Sequence, residues 1–201
     1  MLKKYEFELK EVVDTISPLV QYTVTKLWGF FEYFILQGVL LDYIAIIATM
    51  LPLMGAVTGL LMSRKAGPRG VGWFLVFNMF LSVVGFGVIL YLTLATPSII
   101  ESSFGGWARI LGGRITWSLS ADGVSALIGL TVVVVSCAVH MYSLNYMAAD
   151  PFLSRFIVYL SLFTFFMLFL VSSDNLVQLF FGWEGVGLCS CLLYTSPSPR
   201  D

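Results

Sequence analysis

Asp174-Asn-Leu-Val-Gln-Leu-Phe-Phe-Gly-Trp-Glu-Gly-Val-Gly-Leu-Cys189 is an apolar stretch with a single acid, Glu184, in its interior. A span that begins near Asn175 and needs ~20 residues puts Glu184 about halfway across a bilayer. A charged side chain at that depth costs several kcal/mol to insert, so an intramembrane acid reads by default as a group on an ion or proton pathway. A glutamate that merely faces a polar loop or a neutral cavity is the competing reading. Gly182, Gly185 and Gly187 flank the acid. Each weakens a helix by up to ~1 kcal/mol relative to Ala, and what glycine offers instead is close helix approach and room for water. Trp183 can supply an indole donor beside the acid. Gln178 can hydrogen-bond across helices, and Asp174 is positioned to cap the helix.

Composition extends this membrane reading to the whole chain. Hydrophobic residues make up 58% and charged residues 11% of the 201 positions, which leaves too little polarity to solvate a globular surface. Seventeen Phe, nine Tyr and five Trp suit lipid-facing and interfacial positions. A net charge of −1 offers nothing to a nucleic acid. Of the three cysteines, Cys137, Cys189 and Cys191, two lie in apolar helical runs without metal-ligand spacing, so no metal site is expected and those two read as small buried side chains. No cleavable signal is expected, because the charged amino end MLKKYEFELKEVVD is not followed by a short apolar region and cleavage site.

The expected fold is an all-α integral membrane protein with about five transmembrane helices. Residues 1–41 form an amino-terminal extension in which 16–41 carry Lys26 and Glu32 among aromatics, as in a helix lying in the interface; an extra span is the alternative. The spans are expected at about 42–62, 71–95, 117–146, 155–171 and 175–190. The first contains Pro52, which should loosen it, and Gly55-Ala-Val-Thr-Gly59, a small-residue pair one turn apart. Asn78 is the strongly polar residue of the second. Residues 96–116 read as a surface loop, because Gly105, Gly106, Gly112 and Gly113 break any helix. Asp150 and Arg155 read as a surface charge pair or a lipid-headgroup contact. Basic residues do not settle the orientation. Arg64, Lys65 and Arg69 in the first loop exceed Arg109 and Arg114 in the second, but Lys3, Lys4, Lys10 and Lys26 oppose them if 16–41 does not span.

Two more titratable residues qualify as candidates. Asp122 opens the third helix, where it reads equally as a cap and as an acid at a channel mouth. His140, the only histidine, lies 18 residues further on, about 27 Å along the axis at ~1.5 Å per residue. It reads either as a partnered histidine near the interface or as a proton-relay member, since a reference pKa of ~6.5 allows titration near neutrality. After Ser190 the composition switches abruptly to CLLYTSPSPRD. That string resembles the in-frame translation of a sequencing-library adapter, so 191–201 are expected to be a scar rather than native sequence.

Three runs carry a family resemblance: DNLVQLFFGWEGVGLCS at 174–190, the uninterrupted VHMYSLNYMAADPFLSRFIVYLSLFTFFMLFLVSS before it, and SLSADGVSALIGL at 118–130. They resemble subunit 5 of respiratory NADH:ubiquinone oxidoreductase (complex I), over roughly 42–190. Antiporter subunits of cation/proton exchangers and of membrane hydrogenases are similar in kind, and a secondary antiporter is the alternative function. The resemblance implies the amino-terminal part of a larger antiporter-like bundle of two inverted repeats, with its first loop facing the matrix or cytoplasm. It implies that Glu184 is a proton-relay acid paired with a lysine on a later helix. A carboxyl out of water resists ionisation and a nearby cation reverses that, so such a pair can switch. It also implies that NADH, FMN, iron–sulfur clusters and ubiquinone belong to other subunits. Consistent with that, the chain has no Gly-rich dinucleotide loop after a strand and no cysteine cluster. The implied partners are other membrane-arm subunits, especially a neighbouring antiporter-like one, together with the lipid bilayer. The implied location is the mitochondrial inner membrane, or alternatively a bacterial plasma membrane.

Overall fold

A computed structural model describes residues 39–63, 67–95, 100–110, 113–148, 150 and 152–194. It shows an all-α membrane protein with one β-hairpin. In chain order the elements are α1 (Val39–Met62), α2 (Gly67–Ala95), β1 (Ile100–Ile110), β2 (Gly113–Ala121), α3 (Gly123–Tyr146), α4 (Leu153–Val171) and α5 (Leu176–Tyr194). All five helices are long and apolar enough to cross a membrane. Of the amino-terminal extension expected at 1–41, residues 1–38 lie outside the described residues and 39–41 belong to α1; of the scar expected at 191–201, residues 195–201 lie outside them and 191–194 belong to α5.

Helices pack in the sequence α2 on α3, α3 on α4 and α4 on α5, with α2 also touching α4. At one end Val71 and Leu75 of α2, Leu144 of α3, and Leu153 and Ile157 of α4 form a buried cluster. Lipid competes with these side chains for apolar contact, so close van der Waals fit rather than water exclusion holds the cluster together.

The α1–α2 contact shows how a helix breaker is tolerated. Pro52 lies inside α1 and has no N–H to give the carbonyl of Ala48, four residues back. The hydroxyl of Ser82 on α2 donates to that carbonyl at 2.8 Å instead. Ser82 is fully buried, so this bond replaces the missing one where no water can. Gly85, one turn beyond Ser82, allows the approach: a Cβ there would stand 2.8 Å from Cβ of Ala48.

Several boundaries differ from expectation. The first loop is shorter, because α2 starts at Gly67, whose φ of +68° suits glycine. The segment 96–116 is not simply a loop, since 100–110 pair antiparallel with 113–121, with irregular register around Ser103, Gly106 and Ala108. The glycines do exclude a helix, and at Gly106 they accommodate a bulge. The third span does not begin at Trp117. Residues 117–121 are the end of β2, and α3 starts after Asp122, where a capping box closes the first turn. Helix α5 continues past Ser190 to Tyr194. Asp150 and Arg155 do not pair: Asp150 accepts from the Phe152 N–H at 2.8 Å, and the Arg155 guanidinium lies 5.8 Å from the Phe152 ring.

The hairpin is fixed to the α4–α5 turn. Ser120 N–H donates to the Ser172 carbonyl at 2.9 Å, and Leu119 bridges to Ser173. Trp117 packs at a tilt against Phe169 and edge-on against Phe181, with ring centroids 5.5 and 5.6 Å apart. This joins the hairpin to α5, the helix that carries Glu184.

Candidate functional site

Helix α5 presents one narrow face to α4. Gln178, Gly182 and Cys189 are buried and Gly185 is half-buried. The spacings of four, three and four residues keep these positions on one side of a 3.6-residue helix. Glycine is required there. A Cβ on Gly182 would lie 2.9–3.1 Å from Cβ, Cα and N of Leu170, and one on Gly185 would lie 2.2 Å from the Phe166 ring. Of the two things expected of these glycines, close helix approach is the one seen at Gly182 and Gly185: they seat α5 on α4. Gly187 has open space beside it.

Glu184 lies two residues past Gly182 and one before Gly185, so it points away from α4. It is the ninth residue of the nineteen in α5 and is exposed. It lines a hollow of about 540 Å³ with Phe166, Phe181, Trp183 and Leu188. Among the described residues it has no hydrogen-bond or ion-pair partner, and Trp183, 67% exposed, makes no bond to it. Of the five spanning helices α5 is the least covered, with 22% of its apolar window buried against 33–39% for the others.

The amino end of α5 is built on polar ties between distant residues. Asn175, rather than the expected Asp174, caps the helix, its Oδ1 accepting from the Gln178 N–H at 2.9 Å. Asp174 instead accepts from the Ser118 hydroxyl at 3.0 Å. Oε1 of buried Gln178 accepts from the Ser118 N–H at 3.2 Å, and its Nε2 has no partner among the described residues.

His140 belongs to a separate polar cluster between α3 and α4. The ring is fully buried. Its Nδ1 lies 2.7 Å from the Ser136 carbonyl, which can only accept, so Nδ1 carries the proton. Nε2 lies 2.9 Å from the Ser161 hydroxyl, which can donate to a neutral ring or accept from a charged one. Ser136 also bonds the Thr164 hydroxyl, which donates in turn to the Leu160 carbonyl at 2.9 Å. Both His140 and the hydroxyls are thus satisfied inside the bundle. The partners are Ser136 at i−4 on the same helix and a Ser161/Thr164 stripe on the next.

Asp122 caps α3. Its carboxylate accepts from the Ser125 N–H at 2.7 Å, and its own N–H donates to the Ser125 hydroxyl at 2.8 Å. Hydrogen bonds from the Ser125 hydroxyl and then its backbone hold the Asp122 carboxyl below the ordinary value of 3.8. Every polar function of Asp122 seen here is that of a cap. The three candidates therefore do not converge: Asp122 is at one end of α3, His140 between α3 and α4, and Glu184 on α5, off the Gly182–Gly185 face that meets α4.

Comparison with known proteins adds a family. Residues 107–157 match the family model described as NADH-ubiquinone oxidoreductase (complex I), chain 5 amino terminus. The chain is 41% identical to NADH-quinone oxidoreductase subunit L of Rickettsia bellii over 150 residues, which is 75% of this chain and 23% of that protein. It is 38% identical to NADH-ubiquinone oxidoreductase chain 5 of Dictyostelium discoideum over 148 residues, covering 74% and 22% of the two. It is 40% identical to chain 5 of Metridium senile over 148 residues, covering 74% and 25%. The chain thus spans about a quarter of the length of these relatives.

Proposed function

We propose that this chain, a member of the NADH-ubiquinone oxidoreductase (complex I) chain 5 family, works in the membrane arm of that enzyme and that Glu184 is a proton-relay acid there. The observation that carries the proposal is the position of Glu184, midway along α5 on the face that α4 leaves uncovered. An ionised side chain facing lipid at mid-depth costs about 2.5–3.5 kcal/mol on insertion scales. That cost is avoided when further helices or an aqueous cavity cover the face, and the relatives' greater length provides for such helices. Glu184 then becomes an interior carboxyl whose charge depends on its neighbours.

The chain's own residues divide the work. Gly182 and Gly185 hold α5 on α4, and Asn175, Gln178 and Ser118 fix its amino end, so Glu184 is presented on a rigid element. Its carboxyl oxygen takes up a proton when its surroundings disfavour charge and releases it when a cation approaches. His140, whose Nε2 faces a hydroxyl that can donate or accept, is a second candidate for proton passage between α3 and α4. Its bonds equally describe a structural clamp. Asp122 is assigned capping alone. Oxidation of NADH and reduction of quinone, with their flavin and iron–sulfur groups, fall to other subunits. The partners are other membrane-arm subunits and the bilayer, and the location is the mitochondrial inner membrane, with a bacterial plasma membrane as the alternative.

The test is Glu184→Gln in the full-length subunit within the assembled complex, in sealed vesicles. Assembly should persist while NADH-driven proton uptake falls at least about tenfold, the scale of losing a positioned proton-transfer group. Glu184→Asp should retain part of the uptake. Unchanged pumping by Glu184→Gln would overturn the assignment.

A further inference from the structure

We propose that the hollow between the end of α1 and the start of α4 binds an anionic glycerophospholipid. The concavity, of about 570 Å³, is lined by Leu60, Leu61, Ser63, Ser154, Arg155 and Val158. These residues are graded by depth. Ser63 follows the last turn of α1, and Ser154 and Arg155 stand in the first turn of α4; Leu60, Leu61 and Val158 lie up to a turn further into their helices. A phosphate at the level of the hydroxyls and the guanidinium would leave an acyl chain along the three apolar side chains.

Charge selects the headgroup. Arg155 is exposed and, among the described residues, has no acidic partner; the nearest acid in sequence, Asp150, is engaged by the Phe152 N–H at 2.8 Å. Exposed Arg69, in the first turn of α2, is on the same side of the membrane, because the start of α2 packs against the end of α3 and the start of α4 through Gly72, Leu144 and Ile157. The sequence adds Arg64 and Lys65 in the connector between α1 and α2. Among the described residues that side therefore carries exposed Arg69 and Arg155 against Asp150. The other side carries Arg109 and Arg114 against Asp42, Glu101, Asp122 and Asp174. Anionic headgroups at a membrane surface attract such exposed basic residues. A zwitterionic headgroup would bring its own cation into this basic setting. The proposal is independent of the proton-relay reading and survives its failure.

The experiment uses the full-length subunit in its complex, reconstituted in phosphatidylcholine vesicles containing photoactivatable phosphatidylglycerol or, in parallel, photoactivatable phosphatidylcholine. Labelling of this subunit should favour phosphatidylglycerol. Arg155→Gln should weaken that preference about fivefold, the scale of one basic residue at a membrane surface. Arg155→Lys should keep it. Leu61→Trp, which fills the hollow and leaves the charges, should lower the labelling, and excess soluble glycerol 3-phosphate should not compete. Equal labelling of wild type, Arg155→Gln and Leu61→Trp would overturn the proposal, as would displacement of the label by glycerol 3-phosphate.

Discussion

The α3–α4 seam and the outer face of α5 both place polar groups in a membrane, and they resolve the cost in opposite ways. In the seam every donor and acceptor around His140 is matched: the ring holds the Ser136 carbonyl and the Ser161 hydroxyl, and Ser136 meets Thr164. On α5 the carboxyl of Glu184 lies midway along its helix, further from the nearer end than His140 is in α3, but has no partner among the described residues. The first arrangement is complete within two helices. The second makes sense only against another surface. A polar group satisfied locally reads as architecture, and one left open at mid-depth reads as half of a site.

Substitutions separate the two. Glu184→Gln is expected to have the largest effect on proton uptake and little on stability, because it removes no contact seen among these helices. His140→Ala should reverse that order. It strands the Ser161 hydroxyl and leaves a void, and it should cost about 1–2 kcal/mol, read as a lower thermal inactivation midpoint of the assembled complex. If His140→Ala instead lowers uptake at unchanged thermal stability, the seam is a proton path rather than a clamp.

A second pair sharpens the same contrast on α5 itself. Gly182→Val should cost about 1–3 kcal/mol, because its side chain meets the backbone of Leu170, which cannot turn aside. Gly187→Ala should be close to neutral, since open space lies beside it. Thermal inactivation midpoints of the two variants measure the difference. Equal midpoints would show that α5 does not sit on α4 through Gly182.

The smallest expected effect is at Asp122. Asp122→Ala should cost about 1 kcal/mol as a lost cap and leave proton uptake unchanged. The capped carboxyl titrates below its ordinary value of 3.8. Its contribution is therefore fully present above that pH and is lost as pH falls through the depressed folded value. The wild-type and Ala variants should converge in thermal stability only in that acid range. A defect in uptake at neutral pH would restore the channel-mouth role.

The spans were legible because long apolar runs have few other uses, and Glu184 stood out as a candidate because a charge in such a run has few innocent explanations. A cap at Asp122 was one of the two readings its place before an apolar run allowed, but the reciprocal bond from Ser125 emerged only in the structure. The hairpin was not. Its glycines signalled only that a helix was excluded, and Trp117–Ala121 adjoins the apolar run of α3 closely enough to pass as its first turn. The ties from Ser118 to Asp174 and Gln178 cross 56 and 60 residues, so no local pattern announces them. The partners of His140 left a trace that was missed: Ser136 lies at i−4, and Ser161 and Thr164 three apart form a matching polar stripe on the next helix. The face of Glu184 was hidden for a different reason. Glycines beside an acid look like room made for the acid, whereas Gly182 and Gly185 fit the backbone of α4 and the ring of Phe166.

Redox-induced infrared difference spectroscopy of the full-length protein in its complex tests most directly whether Glu184 changes protonation during turnover. A carboxylic C=O band should appear or vanish when NADH is supplied, shift in heavy water, and be missing from Glu184→Gln. Spectra of wild type and Glu184→Gln that superimpose in the carboxylic region would contradict a proton-carrying Glu184.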